Sequence, residues 1–177
     1  MSSKIILYVP SINELVYRQT ILMQTETMDY NKGYELNFSG YDKTTGCIEF
    51  SQDQWAKWYS FWIDNKPESY YAYIMRDSDK QFIGEVNLHY NSTNDWYDMG
   101  IIIEGKYRGQ GYAKQALNLL LELAFEKYSA KAVHNNFENA RDKAYKLHID
   151  AGFKILRNSS DNVDLIIQKS DFAAKTI

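Results

Sequence analysis

Apolar and polar positions recur along the chain in two periods, and the switches between them mark its elements. "KIILYVP" reads as a first strand. In "SINELVYRQTILMQTETMDYNKG", Ser11 and Glu14 stand at capping-box spacing, Leu15, Ile21, Leu22 and Met28 recur at roughly helical intervals, and Gly33 ends the pattern, which predicts one helix. A polar, glycine-punctuated stretch, "YELNFSGYDKTTG", follows. The next segment, "SQDQWAKWYSFWIDNKP", repeats the capping spacing at Ser51 and Gln54 and sets Trp55, Trp58, Tyr59 and Trp62 on one helical face, an aromatic stripe that reads as core.

Strands dominate the middle. "YYAYIMR", the turn "DSDKQ" and "FIGEVNLHY" predict a hairpin whose second arm points Ile83, Glu85, Asn87 and His89 one way and Phe82, Val86, Leu88 and Tyr90 the other. One face of that arm is therefore expected to be polar, with Glu85 solvated. "NSTND" turns the chain into "WYDMGIIIE", whose unbroken Ile run suits a strand covered on both sides. "YAKQALNLLLELAFEKY" is a strongly apolar amphipathic helix. "KAVHNNF", "FKILRN" and "VDLIIQK" read as further strands, and between the first two lies the helix "NARDKAYKLHID", capped by Asn139 and stopped by Gly152. No repeat, low-complexity tract or linker breaks the order, so residues 1–177 are expected to form a single α/β domain.

Charge and composition narrow the chemistry. A formal charge of -3 argues against a protein held on nucleic-acid phosphates, whose binding needs clustered Lys and Arg, and would better receive a cationic substrate. The single cysteine, Cys47, lies in the polar loop without disulfide partner, metal-ligand spacing or the context of a nucleophile. His89 and His134 lack partner spacing for a metal and read as ordinary strand or surface residues. The first apolar run is too short for a signal segment and no stretch approaches a membrane span, so a cytoplasmic protein is expected.

The stretch that carries chemistry is "IIIEGKYRGQGYAKQAL", residues 101–117. Gly109 and Gly111 lie between the Ile strand and the long helix, where the backbone can turn tightly and approach a ligand, and the free amides of a helix's first turn form a phosphate site to which Arg108 adds a cation. Taken alone, the two glycines could equally serve only the corner. A phosphate-loop NTPase would need Lys-Ser/Thr after its second Gly, and "KYRGQGY" has none. A dinucleotide fold would need a third Gly where Lys114 stands. "RGQGYA", Arg108 to Ala113, resembles the Arg/Gln-x-x-Gly-x-Gly/Ala acetyl-CoA motif of the GCN5-related N-acetyltransferases (GNAT). The order of elements around it resembles that family too: the motif lies between a fourth strand and a long helix, and a strand, a helix and the Gly-Phe pair Gly152-Phe153 follow. "YDMGIIIEGKYRGQGYAKQAL" looks particularly like the polyamine and ribosomal-protein acetyltransferase branches.

The resemblance implies a central mixed, mostly antiparallel sheet flanked by helices, with strands 4 and 5 splayed so that the pantetheine arm of acetyl-CoA lies between them. Backbone groups of Ile101, Ile102 and Ile103 would hold that arm, the amides of Arg108, Gly109, Gln110, Gly111, Tyr112 and Ala113 the pyrophosphate, and Asn139 would add a secondary contact. The implied reaction is direct attack of a primary amine on the thioester, without a metal. An alkyl ammonium is only about one part in a thousand neutral near pH 7, a deficit of roughly 4 kcal/mol, so a base matters. Asp98, two residues before Gly100, and Glu85 are the candidates. For protonating the leaving thiolate, many family members place a Tyr four residues before the Gly of Gly-Phe; here that position is His148, with Tyr145 one turn earlier, and either is a candidate acid. Tyr34, Glu35, Tyr41, Asp42 and Trp55 occupy the region that borders the acceptor in the family. The expected partner is a small-molecule or peptide amine, with no nucleic acid and no membrane, and homodimer formation is open. The reading from another class is an acyl-CoA-binding sensor or interaction module without turnover.

Overall fold

Each expected strand forms, and together they make one sheet across the region described by the computed structural model, residues 3–175. The strands are β1 (Ile5–Tyr8), β2 (Ser69–Arg76), β3 (Phe82–Asn91), β4 (Trp96–Ile103), β5 (Ala132–Glu138), β6 (Lys154–Asn158) and β7 (Asn162–Gln168), in the order β1-β2-β3-β4-β5-β7-β6. All neighbours are antiparallel except β4 and β5. The helices are α1 (Leu15–Leu22), α2 (Thr25–Met28), α3 (Trp55–Trp62), α4 (Tyr112–Glu126), α5 (Asp142–Ala151) and α6 (Lys169–Lys175).

Alternation along β2 sorts the sheet's two faces. Tyr70, Ala72 and Ile74 join α4 and the apolar residues of β3, β4, β5 and β7 in the main core, whereas Tyr71 and Tyr73 face α1 and α3. A second cluster on that opposite face gathers Leu15, Leu22, Met28, Cys47, Phe50 and Trp55. Neither cluster on that face contains a residue of β5–β7. The α1–α3 layer thus covers half of the sheet and leaves the β5–β7 half of the same face open.

Four local expectations change. The first helix is broken: α1 ends at Leu22, Gln24 is extended at φ -84° and ψ 114°, and α2 restarts at Thr25. The break has a mechanical use, because Gln24 donates to Glu104 (3.1 Å), and the Thr27 hydroxyl accepts the Gly105 N–H (2.9 Å), docking α2 on the turn that follows β4. Asn139 does not cap α5, which begins after Arg141; its side chain donates to the Ser159 carbonyl (2.8 Å). Ser51 makes no side-chain cap bond, whereas Ser11 donates both its N–H and its hydroxyl to the Glu14 carboxylate, each at 2.8 Å. Cys47, expected in a polar loop, is buried in the second cluster.

The largest difference concerns β3. Its face bearing Glu85 is covered by α1 and α3, and the Glu85 side chain is 2% exposed. It is ion-paired with Arg18 of α1 and accepts the Tyr71 hydroxyl. The Arg18 guanidinium lies 4.8 Å from the Trp58 ring centre, 5.2 Å from Phe50 and 5.6 Å from Tyr71, so the aromatic stripe on α3 closes a cage over the cation. Burial would oppose its charge, but Glu85 and Tyr71 keep Arg18 above the ordinary arginine range. Removing one partner of a buried pair strands the other charge, at a cost of about 3–5 kcal/mol. Glu85→Ala is therefore expected to lose stability on that scale in urea unfolding, and Arg18→Met combined with Glu85→Gln to recover most of it.

Candidate active site

The parallel pair at the centre of the sheet is short. β4 and β5 are in register only at Tyr97↔Val133 and Asp98↔His134, although β4 continues to Ile103 and β5 to Glu138. On its other side β4 stays paired with β3 through Ile103, and β5 stays paired with β7 through Glu138. A notch therefore opens in the middle of the sheet beyond Asp98 and His134. It leaves the β5-facing backbone groups of Ile101 and Ile103 without a strand partner, whereas the backbone groups of Ile102 turn to β3.

At the wide end of the notch, β4 runs through a 3-10 turn, Gly105–Tyr107, into α4. Gly109 and Gly111 have φ of +75° and +83°, values that L side chains rarely adopt, and Gly111 is the residue from which α4 starts. Among the described residues no side chain caps that helix, and its first turn starts beside exposed Gly109, Gln110 and Gly111. Tyr112 is buried beneath them and Ala113 packs on the core. Arg108 turns away from this cradle. Its guanidinium donates to the carbonyls of Ile103 (3.2 Å), Glu26 (3.1 Å) and Thr27, and meets Asp29 at 3.2 Å. Its side chain clamps the back of the turn to α2, and the cradle itself is backbone.

At the apex of the notch stands a group that sequence reasoning missed. Asp98 Oδ1 is 2.7 Å from His134 Nδ1 and 3.0 Å from the donating Trp96 Nε1, while Oδ2 accepts Asn91 Nδ2 at 3.0 Å. Burial favours the neutral acid, yet the bonds from His134, Asn91 and Trp96 hold the Asp98 carboxyl below the usual range. The Trp96 and His134 rings stack at 4.7 Å and 21°. His134 Nε2 lies 3.6 Å from Asp164 Oδ1 of β7. These residues border a cavity of about 500 Å3 on the open half of the sheet, with Met99 and Asn135, the first positions beyond the paired ones, in its wall. Both histidine and aspartate were visible in the sequence; the register that joins them was not, because pairing between distant parallel strands leaves no local signature.

The remaining candidates are placed as follows. His148 is buried, its Nδ1 donating to the Ala144 carbonyl (2.8 Å) and its Nε2 2.9 Å from the Asn135 amide, between the rings of Phe137 and Phe153. Tyr145 is exposed on α5. Tyr41 donates to the carbonyls of Asn31 (2.5 Å) and Tyr34 (2.9 Å), Asp42 accepts Thr44 N–H (2.8 Å) and Thr45 Oγ1 (3.0 Å), and Trp55 is buried against Phe50. All three hold their own loop or helix together. Glu35 is exposed beside Lys43, and the Tyr34 ring lies 5.8 Å from the Arg141 guanidinium. Among the described residues no cluster of His, Cys, Asp or Glu could hold a metal ion, and no helix is long and apolar enough to cross a membrane.

Comparison with known proteins agrees with this arrangement. Residues 18–154 match the family model described as Acetyltransferase (GNAT) domain. The chain belongs to the GNAT acetyltransferase family. Among solved structures it is similar to the spermidine N-acetyltransferase of Vibrio cholerae in complex with CoA and spermine, at 18% identity and TM-score 0.76 over 96% of this chain and 98% of that one. It is similar also to FdhC, a nucleotide-linked sugar GNAT, at 20% identity and TM-score 0.73 over 99% and 92%. A GNAT-family acetyltransferase from Bacillus anthracis superposes at 11% identity and TM-score 0.73 over 96% and 98%. Among curated proteins none matches this chain.

Within this GNAT fold, His148 makes a prediction about acid stability. Burial lowers its pKa from the ordinary 6.5, against the opposing pull of its bond to Ala144. The unfolded imidazole then takes up a proton before the folded one does, so stability must fall as pH drops through about 6.5 and continue falling until the folded group also protonates. Replacing His148 with Gln is expected to flatten the dependence of the urea midpoint on pH between about pH 7.5 and 5, even if the variant is less stable at every pH.

Proposed function

We propose that this GNAT acetyltransferase takes its acetyl group from acetyl-CoA and delivers it to a primary amine that enters over the open half of the sheet. The observation that carries the reading is the notch: a parallel pair that ends at Asp98 and His134, floored by unpaired backbone and leading to an uncapped, doubly left-handed glycine turn. Acetyl-CoA fits these residues in two respects. Its diphosphate suits a cradle of free first-turn amides at the positive end of α4. Its amide-bearing arm suits a strand edge without a partner, in the manner of an added strand. Gly109, Gln110, Gly111, Tyr112 and Ala113 would hold the diphosphate through their backbone, Arg108 having given its N–H to the Gly105 carbonyl, and the β5-facing groups of Ile101 and the Ile103 amide would hold the arm, Ile102 being turned to β3 and the Ile103 carbonyl taken by Arg108. Bound there, acetyl-CoA supplies an activated acyl carbon. Asn139 is engaged with Ser159 and can add only a peripheral contact.

The chain's own residues then have to admit the amine, help it lose a proton and exclude water. Glu85 is neutralised by Arg18 inside the α1–α3 layer, so the carboxylate available at the apex is Asp98. His148 has both ring nitrogens occupied, its Nδ1–H by a carbonyl, and is better suited to packing beneath β5 than to delivering a proton; Tyr145 or solvent is left to protonate the thiolate. Asp98 and Asp164 give the cavity two acids, with Arg157 Nε 3.8 Å from the second. The acceptor class that suits this balance is a cationic amine.

Two measurements test the reading. Acetyl-CoA is expected to raise the melting temperature by binding only the folded state, and Gly111→Val to abolish that shift, since a branched residue strains a position at φ +83° and crowds the cradle. A folded Gly111→Val protein that binds acetyl-CoA like wild type would falsify the placement of the diphosphate. Incubation with acetyl-CoA and a panel of amines, followed by free thiol, is expected to rank cationic acceptors such as spermidine above neutral or acidic ones, with rates falling as salt is added. Thermal stabilisation without thiol release across the panel would instead identify a binding module.

A further inference from the structure

We propose, building on the acetyl-transfer reading, that His134 is the catalytic base of this site, that Asp98 is its positioning residue, and that Asp164 receives the acceptor's ammonium. Three features of the apex point to a base other than the carboxylate itself. Both oxygens of Asp98 are occupied, Oδ1 by His134 and Trp96 and Oδ2 by Asn91, so the acid has little capacity left to take a substrate proton. An ionised carboxylate only accepts hydrogen bonds, so the 2.7 Å contact places a proton on His134 Nδ1 and leaves the lone pair of the neutral ring on Nε2. That lone pair faces another acceptor, Asp164 Oδ1, at 3.6 Å. Two acceptors turned toward one another call for a donor between or beside them, and a primary ammonium offers N–H groups to both.

The rings and strands hold this geometry. His134 is fixed by stacking on Trp96, by its bond to Asp98 and by its place in β5, with its side chain 12% exposed. Asp164 is oriented by Asn136, which donates to the same Oδ1. The charged and titratable groups around His134 are Asp98 of β4, Asp164 of β7 and Arg157 of β6 beside Asp164; His89 of β3, in register with Asp98, packs its ring on Phe61 and Trp62.

The step balances without a co-reactant beyond acetyl-CoA. One ammonium proton passes to His134 Nε2, and the freed nitrogen pair forms the new C–N bond at the thioester carbonyl. The C–S bond breaks with its pair on sulfur, the second N–H proton leaves to solvent, Tyr145 or solvent supplies one proton to the thiolate, and the imidazolium returns its proton to solvent. Imidazole changes charge near neutral pH and can cycle in this way, whereas a carboxylate held below its usual range is a poor acceptor from an ammonium.

The test compares wild type, His134→Gln and Asp98→Asn with acetyl-CoA and a fixed set of amines: spermidine, glucosamine and an alanyl peptide. For the best acceptor, His134→Gln is expected to lower kcat/KM by about 100- to 10,000-fold, while melting temperature and its shift with acetyl-CoA stay near wild type. The wild-type rate should fall as acid protonates the imidazole. His134→Gln should lack that limb, and Asp98→Asn should move it to lower pH because the imidazolium loses its counter-charge. A folded His134→Gln protein with wild-type rate and profile overturns the assignment while leaving acetyl transfer intact. An Asp98→Asn limb at the wild-type pH overturns the role of Asp98. If wild type itself releases no thiol with any of the three amines, the transfer reading falls and takes this inference with it.

Discussion

The arrangement depends on a sheet that stops pairing in its own middle. Backbone N–H and C=O groups are obligatory hydrogen-bonding groups, and in a sheet's interior the neighbouring strand normally satisfies them. Here β4 keeps its partner β3 and β5 keeps its partner β7, but the two strands part after Asp98 and His134. Different supports hold the halves apart. β4 rests on α4 through Met99, Ile101 and Ile103, whereas the far end of β5 is carried by α5, where Phe137 lies 5.2 Å from the His148 ring. His148 is then part of the wedge: its Nε2 is tied to Asn135, the first β5 residue past the apex.

The turn at the open end is braced from one side only. Glu104 is buried and accepts Tyr17 (3.2 Å), Gln24 (3.1 Å) and Lys106 (3.0 Å); Thr27 takes the Gly105 amide; Arg108 ties three carbonyls together. Apart from the Lys106 pair and the Ile103 carbonyl, which belong to the turn and to β4, these contacts point toward the α1–α2 segment. The amides on the other side are left unspent, which makes the turn both rigid and receptive. The interruption between α1 and α2 belongs to the same device, because a continuous helix would carry Thr27 and the free carbonyls of α2 away from the turn.

The elements and the glycine turn were legible because their signals are local: alternation in β2 and β3, the apolar stripe of α4, two glycines between a strand and a helix. What lay between distant segments was not legible. Glu85 reads as solvated on the pattern of β3 alone, and only α1 and α3 packing over it reverses that. A clue existed, since Arg18 falls on the inward stripe of its helix with Leu15 and Leu22, three and four residues away, and a charge on an apolar stripe asks for a buried partner. Asn139 has the residue type of a helix cap, but the Ser159 carbonyl from the β6–β7 connection captured its side chain. His134 carried no local clue. Its partners lie 36 residues before it and in β7, and which residue faces Asp98 is fixed by the parallel register.

Two carboxylates on one face of the sheet end with opposite roles for a reason that lies in their coverage. Glu85 sits under α1 and α3, where a bare charge would be costly, and Arg18 within its aromatic cage removes that charge from the field of the site. Asp98 sits past the edge of that layer, its side chain 40% exposed, and its bonds come from neutral donors and an imidazole whose own charge is variable. Negative potential in the cavity therefore comes from Asp98 and Asp164, with Arg157 close to the latter. In this family member, the α1–α3 layer acts as more than a lid on the core: by neutralising Glu85 of β3 and ending before β5, it confines the remaining acidity of this face to the apex of the notch.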